Sequence, residues 1–116
     1  MKHRIALATT DKLTVYKHFG KADRFEIVDV ENGKWAFAEG RDVPPACQDG
    51  GHSESRFDTV LSILSDCEAV VVARIGPGAA EYLQSKGMRV FEAPGTVEKI
   101  MNAILSRGLL DGRSTG

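Results

Sequence analysis

The chain has 116 residues, of which 42% are hydrophobic and 27% are charged, and such fractions are typical of one globular domain with its own core. The formal net charge of -1, without any long basic run, argues against a protein that binds nucleic acid through bulk electrostatics. No stretch approaches the roughly twenty apolar residues of a membrane span. The two cysteines are expected to be separate thiols rather than a disulfide bridge, so we expect a cytoplasmic protein.

The first forty residues predict three strands, at 4–9, 24–30 and 34–40. Asn32 and Gly33 separate the second strand from the third, and this pair supplies the positive φ that a type I′ turn needs. Those two strands should therefore be antiparallel. Residues 10–23 have no regular period and gather turn-forming and basic residues, including Lys17 and His18, which predicts a long loop.

Residues 42–55 contain two prolines, two glycines and almost no apolar side chain, so they predict a surface loop. A loop of about a dozen residues in a compact domain is more often functional than idle. Cys47 and His52 are its only soft metal ligands. They do not complete a zinc site, which needs four ligands and could take only His18 and Cys67 in addition. The alternative is an exposed cysteine and histidine without a role.

The second half alternates helices and strands. Helices are predicted at about 55–66, 77–86 and 96–107, and strands at 69–73 and 88–93. The run at 69–73 is apolar without alternation, which is typical of a strand buried on both faces. The resulting order is β-β-β-α-β-α-β-α, in which an antiparallel meander precedes helical crossovers that require parallel strands. We therefore predict an α/β fold with the first strand and the 69–73 strand side by side at its centre.

A glycine turn follows the buried strand. Arg74 ends that strand, and Gly76, Pro77 and Gly78 lead directly into a helix. Backbone N–H groups, the positive end of the helix dipole and a guanidinium would meet there, which suits an anion. The third glycine of a dinucleotide fingerprint and the Gly-Lys-Ser/Thr of a P-loop are both missing, so an ordinary core turn is the alternative.

Several candidate residues are predicted to meet at one edge of the sheet. Because carboxyl ends of neighbouring parallel strands share an edge, Lys17, His18 and Arg74 should surround one electropositive mouth, and the Cys47 loop should fold over it. His18 is read either as a satisfied loop histidine or as a ligand. Cys67, beside a buried strand, is most simply a small hydrophobe.

Ordinary catalysis finds little support in the residues. The sequence has no nucleophile elbow and no carboxylate pair beside the predicted edge, so a two-metal nuclease is disfavoured. We expect a protein that is not an enzyme.

Three separated motifs carry a family resemblance. They are His-Phe-Gly-Lys-Ala at 18–22 before a Phe-x-Ile-Val-Asp strand, Pro-Pro-x-Cys-x-x-Gly-Gly-His at 44–52, and Arg-Ile-Gly-Pro-Gly-Ala at 74–79. With these motifs in order over roughly residues 3–105, the chain resembles the dinitrogenase iron–molybdenum cofactor biosynthesis family, and in particular its small stand-alone members.

The resemblance implies a three-layer α/β fold of the ribonuclease H-like kind, without the nuclease carboxylates. Its five-stranded mixed sheet would carry helices on both faces. Residues 1–108 would form a single cofactor-binding domain, and residues 109–116 a disordered tail.

The resemblance also implies a function. It is that of a non-catalytic carrier for an iron–molybdenum-type or other metal–sulfur cofactor, or a precursor, in nitrogenase-type cofactor biosynthesis. Partners would be cofactor-assembly proteins or an apo-nitrogenase-like acceptor, with the chain a monomer or weak dimer. The implied cofactor contacts are Lys17, His18, Arg74, Gly76, Gly78 and Ala79, and the implied metal ligands are Cys47, His52 and His18. A regulatory module that binds a protein partner or a small anionic ligand without metal is the alternative.

Overall fold

The computed structural model describes residues 2–43 and 54–108. The strands are β1 (Lys2–Leu7), β2 (Thr14–Val15), β3 (Arg24–Glu31), β4 (Lys34–Asp42), β5 (Ala69–Val72), β6 (Arg89–Glu92) and β7 (Gly95–Thr96). The helices are α1 (Glu54–Ile63), α2 (Pro77–Ser85) and α3 (Val97–Ser106). The predicted ligands Cys47 and His52 and the predicted tail at 109–116 lie outside the described residues.

Five strands form one mixed sheet in the order β4-β3-β1-β5-β6. Strand β1 is antiparallel to β3 and parallel to β5, and β6 extends the parallel part. Ile5 lies opposite Ala69 and Leu7 opposite Val71, so the predicted pairing of the two most apolar strands is confirmed. The two-residue strands β2 and β7 pair separately, and the sequence did not predict them.

The hairpin between β3 and β4 turns as predicted, with positive φ at Asn32 (57°) and Gly33 (75°). Its register slips once, because Ile27 lies opposite Glu39 whereas Val28 lies opposite Phe37. The extra residue is a β-bulge. Consecutive residues Ile27 and Val28 of β3 are both apolar because the sheet is covered on both faces, and each enters a core on its own face.

Helices cover both faces of this sheet. On one face Val60 and Leu64, in and just after α1, and Leu83 of α2 join the core with Ala6 and Val70. On the other face α3 contributes its whole apolar stripe, which packs on residues of β1, β3 and β5: Val97, Ile100, Met101 and Ile104. The clean i, i+3, i+4, i+7 spacing of α3 is the reason that its burial was predictable. No helix among the described residues is long and apolar enough to cross a membrane.

The topology gathers several chain ends at one edge. Because β4 is antiparallel to β3, and β3 to β1, the strands β1, β4, β5 and β6 all point in one direction. We call the edge where they end, at Leu7, Asp42, Val72 and Glu92, the carboxyl edge. Helix α2 begins there, as expected for parallel strands joined by crossovers.

Candidate functional site

Two backbone hydrogen bonds join the loop after β2 to the end of β5 at the carboxyl edge. The Phe19 N–H donates to the Arg74 carbonyl at 2.8 Å, and the Ala73 N–H donates to the Lys17 carbonyl at 3.1 Å. His18 and Arg74 therefore form an isolated parallel β-bridge. The structure thus brings together Lys17, His18 and Arg74, which lie far apart in sequence.

Phe19 is the anchor that holds this loop in place. Its side chain is only 2% exposed, and its ring lies 6.0 Å from that of Phe57 in α1. A single 3-10 turn at Phe19–Lys21 follows, closed by the Lys21 N–H donating to the His18 carbonyl at 3.0 Å. Because Phe19 is buried and His18 is exposed, the motif fixes the backbone while leaving the imidazole at the surface.

The side chains of His18 and Arg74 are both exposed. Among the side chains described, those of residues 3–43 and 57–108, neither has a hydrogen-bond or ion-pair partner. An exposed imidazole and guanidinium are groups that can contact an added ligand.

The charge of the carboxyl edge is mixed, so the predicted electropositive mouth is wrong in that respect. Lys17 Nζ lies 3.4 Å from a carboxylate oxygen of Asp23. The Ile75 N–H donates to a carboxylate oxygen of Glu92 at 2.9 Å. The sequence reasoning missed both carboxylates, because residues at strand ends and in turns carry no periodic signal. The sequence offered one hint. Ile75 lies between Arg74 and the predicted helix start, and the next predicted strand ends near Glu92.

The first turn of α2 presents backbone donors. Its N-cap, Gly76, is extended (φ -70°, ψ 155°), offers no capping side chain and is followed by Pro77 at the first helical position. The next N–H groups, of Gly78 and Ala79, belong to the donors that a helix leaves without an intrahelical partner.

Packing does not explain the two glycines of this turn. A Cβ built at Gly76 or Gly78 meets nothing within 4 Å, and neither residue has a positive φ. Their lack of side chains leaves the backbone of the helix start open to whatever approaches. The two glycines are therefore not explained by a tight core turn.

The described residues on either side of positions 44–53 contact other parts of the chain. The Val43 N–H donates to the Asp23 carbonyl at 2.9 Å, and Val43 is buried. On the return side, the Phe57 ring lies 5.6 Å from the Tyr82 ring, and the Tyr82 hydroxyl lies 2.6 Å from an Asp58 carboxylate oxygen. Val43 and Phe57 thus contact Asp23 and Phe19, the two ends of the short stretch that holds the single 3-10 turn after His18.

Cys67 is not a candidate ligand. It is 8% exposed and packs in the core beside α1, as the sequence predicted, and burial raises the pKa of its thiol to about 12, with a further contribution from the Asp66 carboxylate. It precedes β5, whereas His18 lies beside the other end of that strand. The four-ligand zinc set weighed from the sequence is therefore ruled out. The described part of the chain holds no group of three or more His, Cys, Asp and Glu residues that would bind a metal ion.

A buried glutamate of β3, paired with a partly exposed arginine of the same strand, was not predicted. Glu26 is 1% exposed, one of its oxygens accepts from Arg24 Nε at 2.9 Å, and its other oxygen has no partner. Arg24 also donates to Asp42 at 3.0 Å. Gly40 makes room for this pair, because a Cβ there would clash with the Arg24 guanidinium.

Comparison with known proteins identifies a family. The family whose description is "Dinitrogenase iron-molybdenum cofactor" matches residues 1–107. The chain is 32% identical over 110 residues to the FeMo cofactor biosynthesis protein NifB of Frankia alni, covering 92% of this chain and 22% of that protein. It is 31% identical over 88 residues to Protein NifX of Sinorhizobium fredii, covering 72% of this chain and 55% of that protein. The chain thus spans only part of the length of these relatives.

A solved structure shares the fold. The protein mj0327 of Methanocaldococcus jannaschii superposes with a TM-score of 0.62 at 14% identity, over 92% of this chain and 91% of that one. At this identity the likeness concerns the fold alone.

Proposed function

Because this chain belongs to the dinitrogenase iron-molybdenum cofactor family, we propose that it binds an iron–molybdenum-type or other metal–sulfur cofactor, or a precursor of one, as cargo. The protein carries this cargo without transforming it, and passes it between cofactor-assembly proteins and an apo-nitrogenase-like acceptor. It acts in the cytoplasm as a monomer or weak dimer. The cargo site is the carboxyl edge around His18, Arg74 and the start of α2.

One observation carries this proposal: the backbone bridge between His18 and Arg74. It brings an imidazole and a guanidinium, 56 positions apart, to the same point of the sheet as the first turn of α2. Ligands of open α/β sheets bind outside the carboxyl ends of the strands, which is where these groups lie.

The groups at this edge match the chemistry of such a cargo. A metal–sulfur cluster is bulky, commonly anionic and rich in sulfide acceptors. The Gly78 and Ala79 N–H groups and the Arg74 guanidinium are donors that suit it. A helix N-terminus stabilises a nearby negative charge by about 0.3–1 kcal/mol, and by up to about 2 when partly buried. These donors therefore orient a cluster and leave its retention to metal–ligand bonds.

The metal–ligand bonds are assigned to His18 and to Cys47 and His52. The last two lie outside the described residues and are assigned from the sequence, as the soft metal ligands of the segment 42–55. A bond from a surface loop is replaceable, as a carrier requires. Lys17, already paired with Asp23, contributes charge rather than a direct bond.

We also assign the sheet to the ribonuclease H-like class. Its order, β4-β3-β1-β5-β6 with β3 antiparallel to its neighbours, supports that assignment. Fold class says little about function by itself, so the cargo proposal depends on the site and the family.

The test is an anaerobic titration of the protein with tetrathiomolybdate, a coloured molybdenum–sulfide dianion, followed by visible absorption. The variant His18→Ala/Arg74→Gln should bind at least about tenfold more weakly, because it loses two side-chain donors to the sulfide atoms of this ion, one of them charged. Arg107→Gln is the matched control, since Arg107 is an exposed arginine at the end of α3. Equal affinity of the double variant and the wild type would refute the site.

A second pair of variants tests the loop. Cys47→Ala/His52→Ala should lose the absorption band of bound cluster, while Cys67→Ser should keep it, because Cys67 is buried away from the site. Unchanged binding in the loop variant would show that Cys47 and His52 are not ligands. Saturable binding of phosphate or nucleotide, with no retention of metal under any condition, would instead indicate the metal-free regulatory module.

A further inference from the structure

The turn between β5 and α2 is held from a second side, by a glutamate. Glu92 ends β6, directly opposite Val72, and the Ala93 N–H donates to the Val72 carbonyl at 2.8 Å. The Glu92 carboxylate reaches from there to the Ile75 N–H, at 2.9 Å. The residues that carry Arg74 are thus fixed on one side by the Lys17–Phe19 loop and on the other by Glu92.

The position of Glu92 has an electrostatic consequence. Ile75 immediately precedes Gly76, the N-cap of α2, so the carboxylate lies at the positive end of that helix. A negative charge at this end stabilises the helix. It also lowers the positive electrostatic potential that would attract an anionic ligand. Glu92 is exposed, and its carboxylate lies beside the start of α2, where the cargo is proposed to bind.

Other charges lie near this turn. Asp23 already pairs with Lys17, and Asp11 accepts from the Leu13 and Thr14 N–H groups, which keeps the pKa of its carboxyl below its usual range. Lys99 lines the same cleft as Glu92. Arg74 is the cation on the same turn as the contact of Glu92, so removing the Glu92 charge makes the potential at the start of α2 more positive.

We propose, building on the proposed cargo function, that Glu92 is a positioning residue that also weakens the site. Its carboxylate holds the Arg74 turn in place through the Ile75 N–H, and its negative charge keeps the affinity for an anionic cluster low enough for release to an acceptor. The site is built for transfer rather than for storage.

Two substitutions separate the two roles of Glu92. Glu92→Gln keeps a carbonyl oxygen that accepts the Ile75 N–H but removes the charge, whereas Glu92→Ala removes both. Glu31→Gln is the matched control, because Glu31 is an exposed glutamate at the opposite end of the sheet, where β3 ends. Each protein is titrated anaerobically with tetrathiomolybdate at low ionic strength, and exchange of the Ile75 amide hydrogen is followed by NMR.

Glu92→Gln is expected to lower the Kd about two- to fivefold, the range that one charge near a helix end provides, and added salt should reduce this gain. Glu31→Gln should bind like the wild type. The Ile75 amide should exchange faster in Glu92→Ala and close to the wild-type rate in Glu92→Gln.

The outcomes distinguish this proposal from the one on which it is built. An unchanged Kd in Glu92→Gln, while the wild type binds, overturns the charge role of Glu92 and leaves the cargo site intact. Unchanged Ile75 exchange in Glu92→Ala overturns the positioning role. A wild type that does not bind tetrathiomolybdate overturns the proposed function, and the inference about Glu92 falls with it.

Discussion

Gly78→Ala should stabilise the folded protein and at the same time lower its affinity for the cargo. Gly78 is in the first turn of α2, its φ is not positive, and an added Cβ meets nothing within 4 Å. Alanine in place of such a glycine restricts the unfolded chain and stabilises the folded one by about 0.4–1 kcal/mol. Since a first-turn position takes the lower part of that range, about 0.5 kcal/mol is expected, which raises Tm by about 2 °C in a domain of this size.

Binding should change in the opposite direction. A methyl group at residue 78 covers the open backbone of the helix start, so a cluster loses its contact with at least one N–H donor. A hydrogen bond to a charged acceptor contributes about 1.5–3 kcal/mol, so affinity for tetrathiomolybdate should fall by about tenfold or more. Thermal unfolding by circular dichroism and anaerobic titration measure the two effects on one sample.

Gly87→Ala is the control at the other end of the same helix. Gly87 has a φ of 92°, where a Cβ is strained, so this variant should lose stability and keep its affinity. Wild-type affinity in Gly78→Ala would refute the reasoning that the helix start contacts the cargo. A lower Tm in that variant would refute the reasoning that the space above Gly78 is open.

Three further predictions concern stability and reactivity. Arg24→Met should lower the free energy of unfolding in urea by about 3 kcal/mol, because it leaves the Glu26 carboxylate buried without a partner, and Arg24→Met/Glu26→Leu should recover most of the loss; a loss that persists in the double variant would contradict this account. In a Cys47→Ala background, a thiol reagent at about pH 8 should not modify Cys67 until denaturant is added, because the raised pKa of about 12 keeps the buried thiol protonated; rapid labelling of the native protein would oppose this. Hydrogen bonds from Arg41 hold the pKa of Asp66 below its usual range, so this carboxylate contributes stability above about pH 4 that is lost as the pH falls; Asp66→Asn should flatten that dependence in acid titrations, and an unchanged slope would contradict it.

Regular packing made most of the fold predictable from the sequence. The run at 69–73 is apolar on both faces because β5 is covered by helices on both sides, and α3 shows its period because one stripe packs on the sheet. Asn32 and Gly33 predicted the hairpin, because its turn needs positive φ at both positions and few residues adopt positive φ. Local rules also fixed which strand ends face the same way, so the meeting of His18 with Arg74 could be expected.

The missed features depend on contacts between distant residues. Strands β2 and β7 are two residues long and pair across 80 positions, so neither has a period to detect. Glu26 alternates like an outward residue of β3, yet it is buried because Arg24 folds over Gly40 of the neighbouring strand. Glu92 looks like an ordinary strand end until the structure places Ile75 beside it. Sequence periodicity says which face a residue occupies and not which side chain reaches across it.

The central claim is that the carboxyl edge holds the cargo, and amide chemical-shift mapping with tetrathiomolybdate tests it most directly. The amides of His18, Arg74, Gly78 and Ala79 should shift together and saturate with one Kd. Shifts confined instead to the surface between β6 and α3, around Phe91 and Ile104, would place the ligand elsewhere and contradict the account.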